Sequence, residues 1–130
     1  MFSRNGRKRT MRSCRTGRKK MSGKTQKTSI YVGLNDRETG AQKFDTQKYL
    51  DILKHVCGSY GVAFSFQTIN GGFFHEDGRY TEENTLLLTL IDIEEALAIE
   101  IAKDLCAFFN QESVMVTTEP LSVVFVHEEV

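Results

Sequence analysis

A two-layer α+β sandwich, a four-stranded antiparallel sheet with two helices on one face, follows from three features of this 130-residue sequence. Its apolar spacings run in the order strand, helix, strand, strand, helix, strand. Two segments of about fifteen residues carry apolar side chains at the three- and four-residue spacing of a helix with one buried stripe. A turn signal, Asp77-Gly78, joins the two middle strands into a hairpin, because Gly tolerates the positive φ a tight turn demands. Together these give the ferredoxin-like arrangement, with the second sheet face left open.

Each element has its own signal. Ser29–Leu34, SIYVGL, is β-branched and aromatic and reads as the first strand, ending where Gly33-Leu34-Asn35-Asp36 forces a turn. Residues 37–44 are a polar loop. Asp45 or Thr46 caps the first helix, whose stripe is Tyr49, Leu50, Ile52, Leu53, Val56, Cys57 and Tyr60, and Gly58 and Gly61 stop it. Val62, Phe64 and Phe66 alternate as a strand with one buried face. Gly71-Gly72 suggests a bulge or a close approach to backbone. Thr85–Ile91, with five Leu or Ile in seven residues, reads as a strand buried on both faces. Asp92 opens the second helix with Glu95 in capping-box position, its stripe being Ala96, Leu97, Ile101, Leu105, Phe108 and Phe109, and Asn110 is a left-handed stop. Val114–Val116 and Leu121–Val126 are extended, and Glu119-Pro120 makes them one bent strand or two short ones.

Charge divides the chain. Residues 1–28 hold 11 Lys or Arg and no acid, whereas residues 29–130 hold 6 Lys or Arg against 17 Asp or Glu, so a body near −11 follows a tail near +11. The tail has little apolar surface to offset the entropy of ordering and is expected to be disordered. Met11 and Met21 offer alternative starts, and nucleic-acid contact through the polycation is a further reading. The organisation expected is thus a basic tail, 1–28, and one ligand-binding domain, 29–130. Three cysteines without a CxxC indicate neither a disulfide framework nor a zinc site. No apolar run reaches the roughly 18 residues of a membrane span, and a cytoplasmic protein is expected.

No motif for catalysis stands out. His55, His75 and His127 fall in no HxH or HExxH pattern, and no Ser or Cys has a nucleophile setting. His75-Glu76-Asp77 offers metal-type ligands, but consecutive turn residues rarely converge on one ion. No metal, no cofactor and no turnover are therefore expected. Binding groups are better represented. Phe74, beside the double glycine, could stack on a base at a rim, or simply divide with Phe73 between core and surface as strand neighbours do. Asn84 could pair with a base or ribose edge, or tie down backbone at a strand start. Arg79, with Arg37 and Lys43, is the cation a phosphate-bearing ligand would need against the acidic body.

Three stretches taken together, YVGLNDRETGAQ (Tyr31–Gln42), GGFFHEDGRYTEENTL (Gly71–Leu86) and FFNQESV (Phe108–Val114), resemble the phage-encoded Thoeris anti-defence sponges of the first described class. The resemblance spans Ser29 to Val126. It implies a homohexamer in an infected or lysogenic bacterial host. Its interface pockets sequester a cyclic ADP-ribose signal, and in some family members cyclic oligonucleotides at other sites. Phe74 would stack on adenine and Asn84 would hydrogen-bond the ligand, with Arg79, Asn35, Asp36 and His75 as further ligand-binding candidates. The rival expectation is a small oligomeric regulator that binds a nucleotide or a protein partner.

Overall fold

The computed structural model describes residues 18–20 and 25–129. The chain falls into two units: Lys27–Glu119, and the described parts of Met1–Gln26 with Pro120–Val130. In the terminal unit, strand β1 (Arg18–Lys20) pairs antiparallel with β6 (Val124–Val126), and the Leu121 amide donates to the Thr25 carbonyl at 3.1 Å. The expectation of disorder over 1–28 is corrected for its described part: Arg18–Lys20 form a strand, Thr25 is buried, and Thr28, in the larger unit, is buried as well. Residues 1–17 and 21–24 lie outside the described residues, as does any nucleic-acid contact they make.

The main sheet contains β2 (Gln26–Gly33), β3 (Ser65–Phe74), β4 (Tyr80–Ile91) and β5 (Met115–Pro120), in the order β3-β4-β2-β5. The helices are α1 (Thr46–Tyr60) and α2 (Glu95–Phe108). This is the ferredoxin-like fold. A single cluster fills the space between layers: Ile30, Val32, Leu86, Leu88 and Leu90 from the sheet meet Tyr49, Leu53, Val56 and Cys57 of α1 and Ala98, Ile101 and Leu105 of α2.

Several local expectations need correcting. Strand β4 is not buried on both faces: Leu86, Leu88 and Leu90 point into the core, while Thr85, Leu87 and Thr89 are half-buried on the open side. Of the two readings of Gly71-Gly72, the bulge is absent, since β3 and β4 pair without interruption from Ser65↔Thr89 to Phe74↔Tyr80, and the close approach holds, the Tyr80 ring lying where a Cβ on Gly72 would be. The hairpin tip is longer than two residues: the His75 amide donates to the Arg79 carbonyl at 2.8 Å, and Gly78 takes φ +91° between them. Gly58 lies inside α1, which ends at Gly61 in the left-handed conformation, φ +68°. Asp45 does cap α1, its carboxylate accepting from the Lys48 amide at 3.0 Å. Asp92 caps nothing. It bends the chain at φ +58°, and α2 starts behind Glu94 without a side-chain cap. Ala96 and Phe108 leave the expected stripe, Phe108 being 61% exposed, whereas Asn110 is the left-handed stop at φ +50°. The last extended segment is two strands, in two different sheets.

The helices are tied to each other by Tyr60, whose hydroxyl donates to Asp104 Oδ2 at 2.6 Å. That bond, with burial and the negative charges nearby, pushes the phenol up to about 12. Burial alone pushes the Cys57 thiol in the core up to about 11, which keeps it protonated and inert.

Candidate functional site

The hairpin is long enough that its outer half, Asn70–Phe74 with Tyr80–Asn84, runs past the buried part of the sheet and is exposed along most of its length. Strand alternation then gives it two faces. Phe73, His75, Thr81 and Glu83 share one, the open face of the sheet, while Phe74, Tyr80, Glu82, Asn84 and Asn70 share the other.

On the open face, three segments remote in sequence meet around a concavity of about 530 Å³. They are the loop after β2 (Asn35, Asp36, Arg37, Thr39, Gly40), the hairpin (Phe73, His75, Arg79, Thr81, Glu83) and the turn after α2 (Gln111, Glu112, Ser113). The size falls within the roughly 300–1,000 Å³ of small-molecule sites. The Phe73 and His75 rings meet at a tilt of 54°, 4.9 Å between centroids, and His75 Nε2 lies 2.7 Å from Thr81 Oγ1. Glu83 reaches across to the start of the loop after β2, where its Oε2 accepts the Asn35 amide at 2.9 Å. Its carboxylate sits on Gly33, in space a Cβ there would occupy, so a glycine is what lets the carboxylate lie flat on the strand.

The loop is preset. Asp36 is only 3% exposed. Its carboxylate accepts from Asn110 Nδ2 at 2.8 Å and from the Glu38 and Thr39 amides at 2.8 and 3.3 Å, with Lys43 Nζ at 3.7 Å. The Asn110 bond leads the causes that hold this carboxyl below its ordinary value. Gln111 Nε2 donates to the Asn35 carbonyl at 2.6 Å, and the Arg37 amide to the Asn110 carbonyl at 3.0 Å. Asp36 is thus a brace whose bonding is already satisfied. Arg79 is partly engaged: its amide donates to Asp77 Oδ1 at 3.0 Å and its Nε to Asp77 Oδ2 at 2.7 Å, and these bonds, the amide's first, lower the Asp77 carboxyl.

The structure therefore separates the six expected ligand-binding residues. Asn35, Asp36, His75 and Arg79 come together at the concavity. Phe74 and Asn84 lie on the hairpin's other face: Phe74, 73% exposed, packs on Tyr80 at 5.0 Å, and Asn84 donates to Gln42 Oε1 at 3.0 Å and accepts from Asn70 at 3.3 Å. Sequence reasoning missed Phe73, Thr81, Glu83 and Gln111. Strand parity counted from the tip would have paired Phe73 with His75, Thr81 and Glu83; nothing local marked Gln111. His75-Glu76-Asp77 holds no metal set, and no group of three metal-type ligands occurs among the described residues. A second groove, about 560 Å³ along α1 and Phe108, offers polar groups on one regular helix, some already in local contacts such as Gln47 with Asp51.

No family model and no curated protein matches this chain. Solved structures do. A phage SAM lyase in complex with S-methyl-5'-thioadenosine is 18% identical over 82% of this chain and 92% of its own, with a TM-score of 0.61. Its apo form gives 0.57 at 18% identity, over 83% and 94%. The GlnK–ATP complex of B. subtilis is 15% identical over 77% and 85%, with a TM-score of 0.51. The expectation of a protein without catalysis is corrected by the first two, since this fold is that of an enzyme there. The physical reason is that the concavity draws its side chains from three distant segments, an assembly that no linear catalytic motif announces. Among the described residues, no helix is long and apolar enough to cross a membrane.

Proposed function

We propose that this chain binds an adenosine-bearing small molecule in the concavity between the hairpin, the 35–40 loop and the 111–113 turn. The observation that carries this reading is the convergence of a ring pair, Phe73 and His75, with the carboxylate of Glu83 and the loops braced by Asp36, all at one end of the sheet. A purine can lie on the Phe73 ring, with His75 tilted against its edge, where base stacking contributes about 1–3 kcal/mol, while the Thr81 hydroxyl, bonded to His75, and the carboxamide oxygen of Asn35, whose Nδ2 donates to the Glu82 carbonyl, are available to sugar hydroxyls. The neighbours support the class, because the lyase holds S-methyl-5'-thioadenosine and GlnK holds ATP on the same fold. Cyclic ADP-ribose, the ligand the sequence resemblance implies, belongs to this class too. The half-buried open face, with Tyr31, Ile69 and Leu87, fits a homo-oligomer whose copies cover one another's sheets.

The test is ligand recovery. The full chain is mixed separately with S-adenosylmethionine, S-methyl-5'-thioadenosine, ATP and cyclic ADP-ribose isomers, freed of unbound compound, denatured, and the released molecule identified by mass spectrometry. Recovery of an adenosine compound, lost in Phe73→Ala, is the expected result. Appearance of S-methyl-5'-thioadenosine from S-adenosylmethionine would add turnover to binding. A folded protein that retains none of the four overturns the proposal.

A further inference from the structure

Building on the adenosine reading of the concavity, we infer that Glu83 sets ligand specificity: its carboxylate selects adenosine compounds bearing a positive centre beside the ribose, a sulfonium or an ammonium, over those bearing phosphates. Geometry gives the reason. Glu83 is half-buried on the face that carries Phe73 and His75, and its backbone is fixed in register opposite Gly71. One oxygen, Oε2, is spent on the Asn35 amide at 2.9 Å. The other has no hydrogen-bond partner among the described residues, and none of their cations lies within ion-pair distance of the carboxylate. A carboxylate left thus in a concave, partly dry place gains most from a cationic ligand group.

The cations around the concavity do not offset it. Arg79 is held by Asp77, Lys43 by Asp36, and Arg37 is an exposed rim residue. Glu112, also lining the concavity, adds negative charge. A phosphate chain entering here would face Glu83 and Glu112, with Arg79 already sharing its charge with Asp77, inside a body near −11. A sulfonium or ammonium meets none of that opposition, and the face of Phe73 attracts a cation within about 6 Å.

Titration calorimetry on the full chain with three probes decides it. S-Adenosylmethionine and S-adenosylhomocysteine share adenosine and the amino-acid chain and differ by the methyl group that makes the sulfur a sulfonium, and ATP carries phosphates. The wild type should bind S-adenosylmethionine at least about tenfold more tightly than the neutral thioether, with ATP weakest. Glu83→Gln should erase the preference, weakening S-adenosylmethionine by about tenfold or more while the thioether changes less than about threefold. Gly33→Ala, which pushes the same carboxylate from its seat without removing it, should fall between. Circular dichroism confirms that each variant is folded. An unchanged preference in Glu83→Gln, or ATP binding above S-adenosylmethionine in the wild type, overturns charge selection while leaving the adenosine site standing. Failure of all three probes to bind overturns charge selection, and it removes the adenosine reading as well when cyclic ADP-ribose isomers are not retained either.

Discussion

The inner and outer halves of the β3–β4 hairpin share two strands and one unbroken register, yet they do opposite work. In the inner half, Leu86, Leu88 and Leu90 are completely buried under the helices. In the outer half the same parity brings up Tyr80, Glu82 and Asn84, all exposed, while the opposite parity supplies Phe73, Thr81 and Glu83 to a concavity. Nothing in the ladder changes between them; what changes is the helical cover. A strand beyond its cover has no core to fill, and its alternation becomes free to sort two sets of functional groups.

The contrast breaks first under truncation. Leu88→Ala should cost about 2–5 kcal/mol by denaturant unfolding, whereas Phe74→Ala, in the same hairpin, should stay within about 0.5 kcal/mol. Equal costs would mean the outer half is part of the core after all. The second test sets neighbours on opposite faces against each other. Phe73→Ala should cost the adenosine ligand about 1–3 kcal/mol of affinity and Phe74→Ala almost none. The reverse outcome would move the site to the face with Phe74 and Asn84, as the sponge resemblance implies.

Two smaller effects sharpen the boundary. Gly33→Ala should cost only about 0.5–1.5 kcal/mol, the value of the Glu83–Asn35 bond it displaces, because a flexible side-chain end can give way. Thr28→Val should raise stability by about 1 kcal/mol, since the buried Thr28 hydroxyl has no partner among the described residues and a same-shaped apolar group avoids its desolvation. Two local anchors, the Asp36 brace and the Tyr60–Asp104 bond, should also answer differently to pH. Asp36 has a carboxyl lowered from 3.8, so its contribution is present above that value and is lost as pH falls through the lower folded one. Tyr60, raised from 10.0 to about 12, contributes fully below pH 10 and loses that contribution as pH rises toward 12. Loop protease sensitivity should therefore rise in acid, and loosening of the α1–α2 contact should appear in alkali.

The fold was legible because its signals are periodic. Leu86, Leu88 and Leu90 sit two apart, and Tyr49, Leu53, Val56 and Tyr60 repeat at helical spacing, so elements and their order could be read without tertiary information. Their ends were less legible. Gly58 is tolerated inside α1 because a single glycine costs a packed helix only about 1 kcal/mol, and Asp92 behaves as a bend because its φ, not its capping chemistry, is what the chain uses there. The site was half legible for a different reason. Phe74 and Asn84 drew notice as residue types, but which face they serve depends on the parity set by a tip of unknown length. Gln111 joins Asn35 across 76 positions, a contact that only the folded chain creates.

Cys57 turns the core into its own clock. Because its sulfur is wholly enclosed and its proton held to about pH 11, a thiol reagent can modify it only in moments when α1 has lifted from the sheet. The rate of that modification, read against a Cys57→Ala control, counts the openings directly. If the hairpin site is a rigid outgrowth of a stable base, saturating it with ligand will slow the count little; if binding and base are one cooperative unit, the clock will nearly stop.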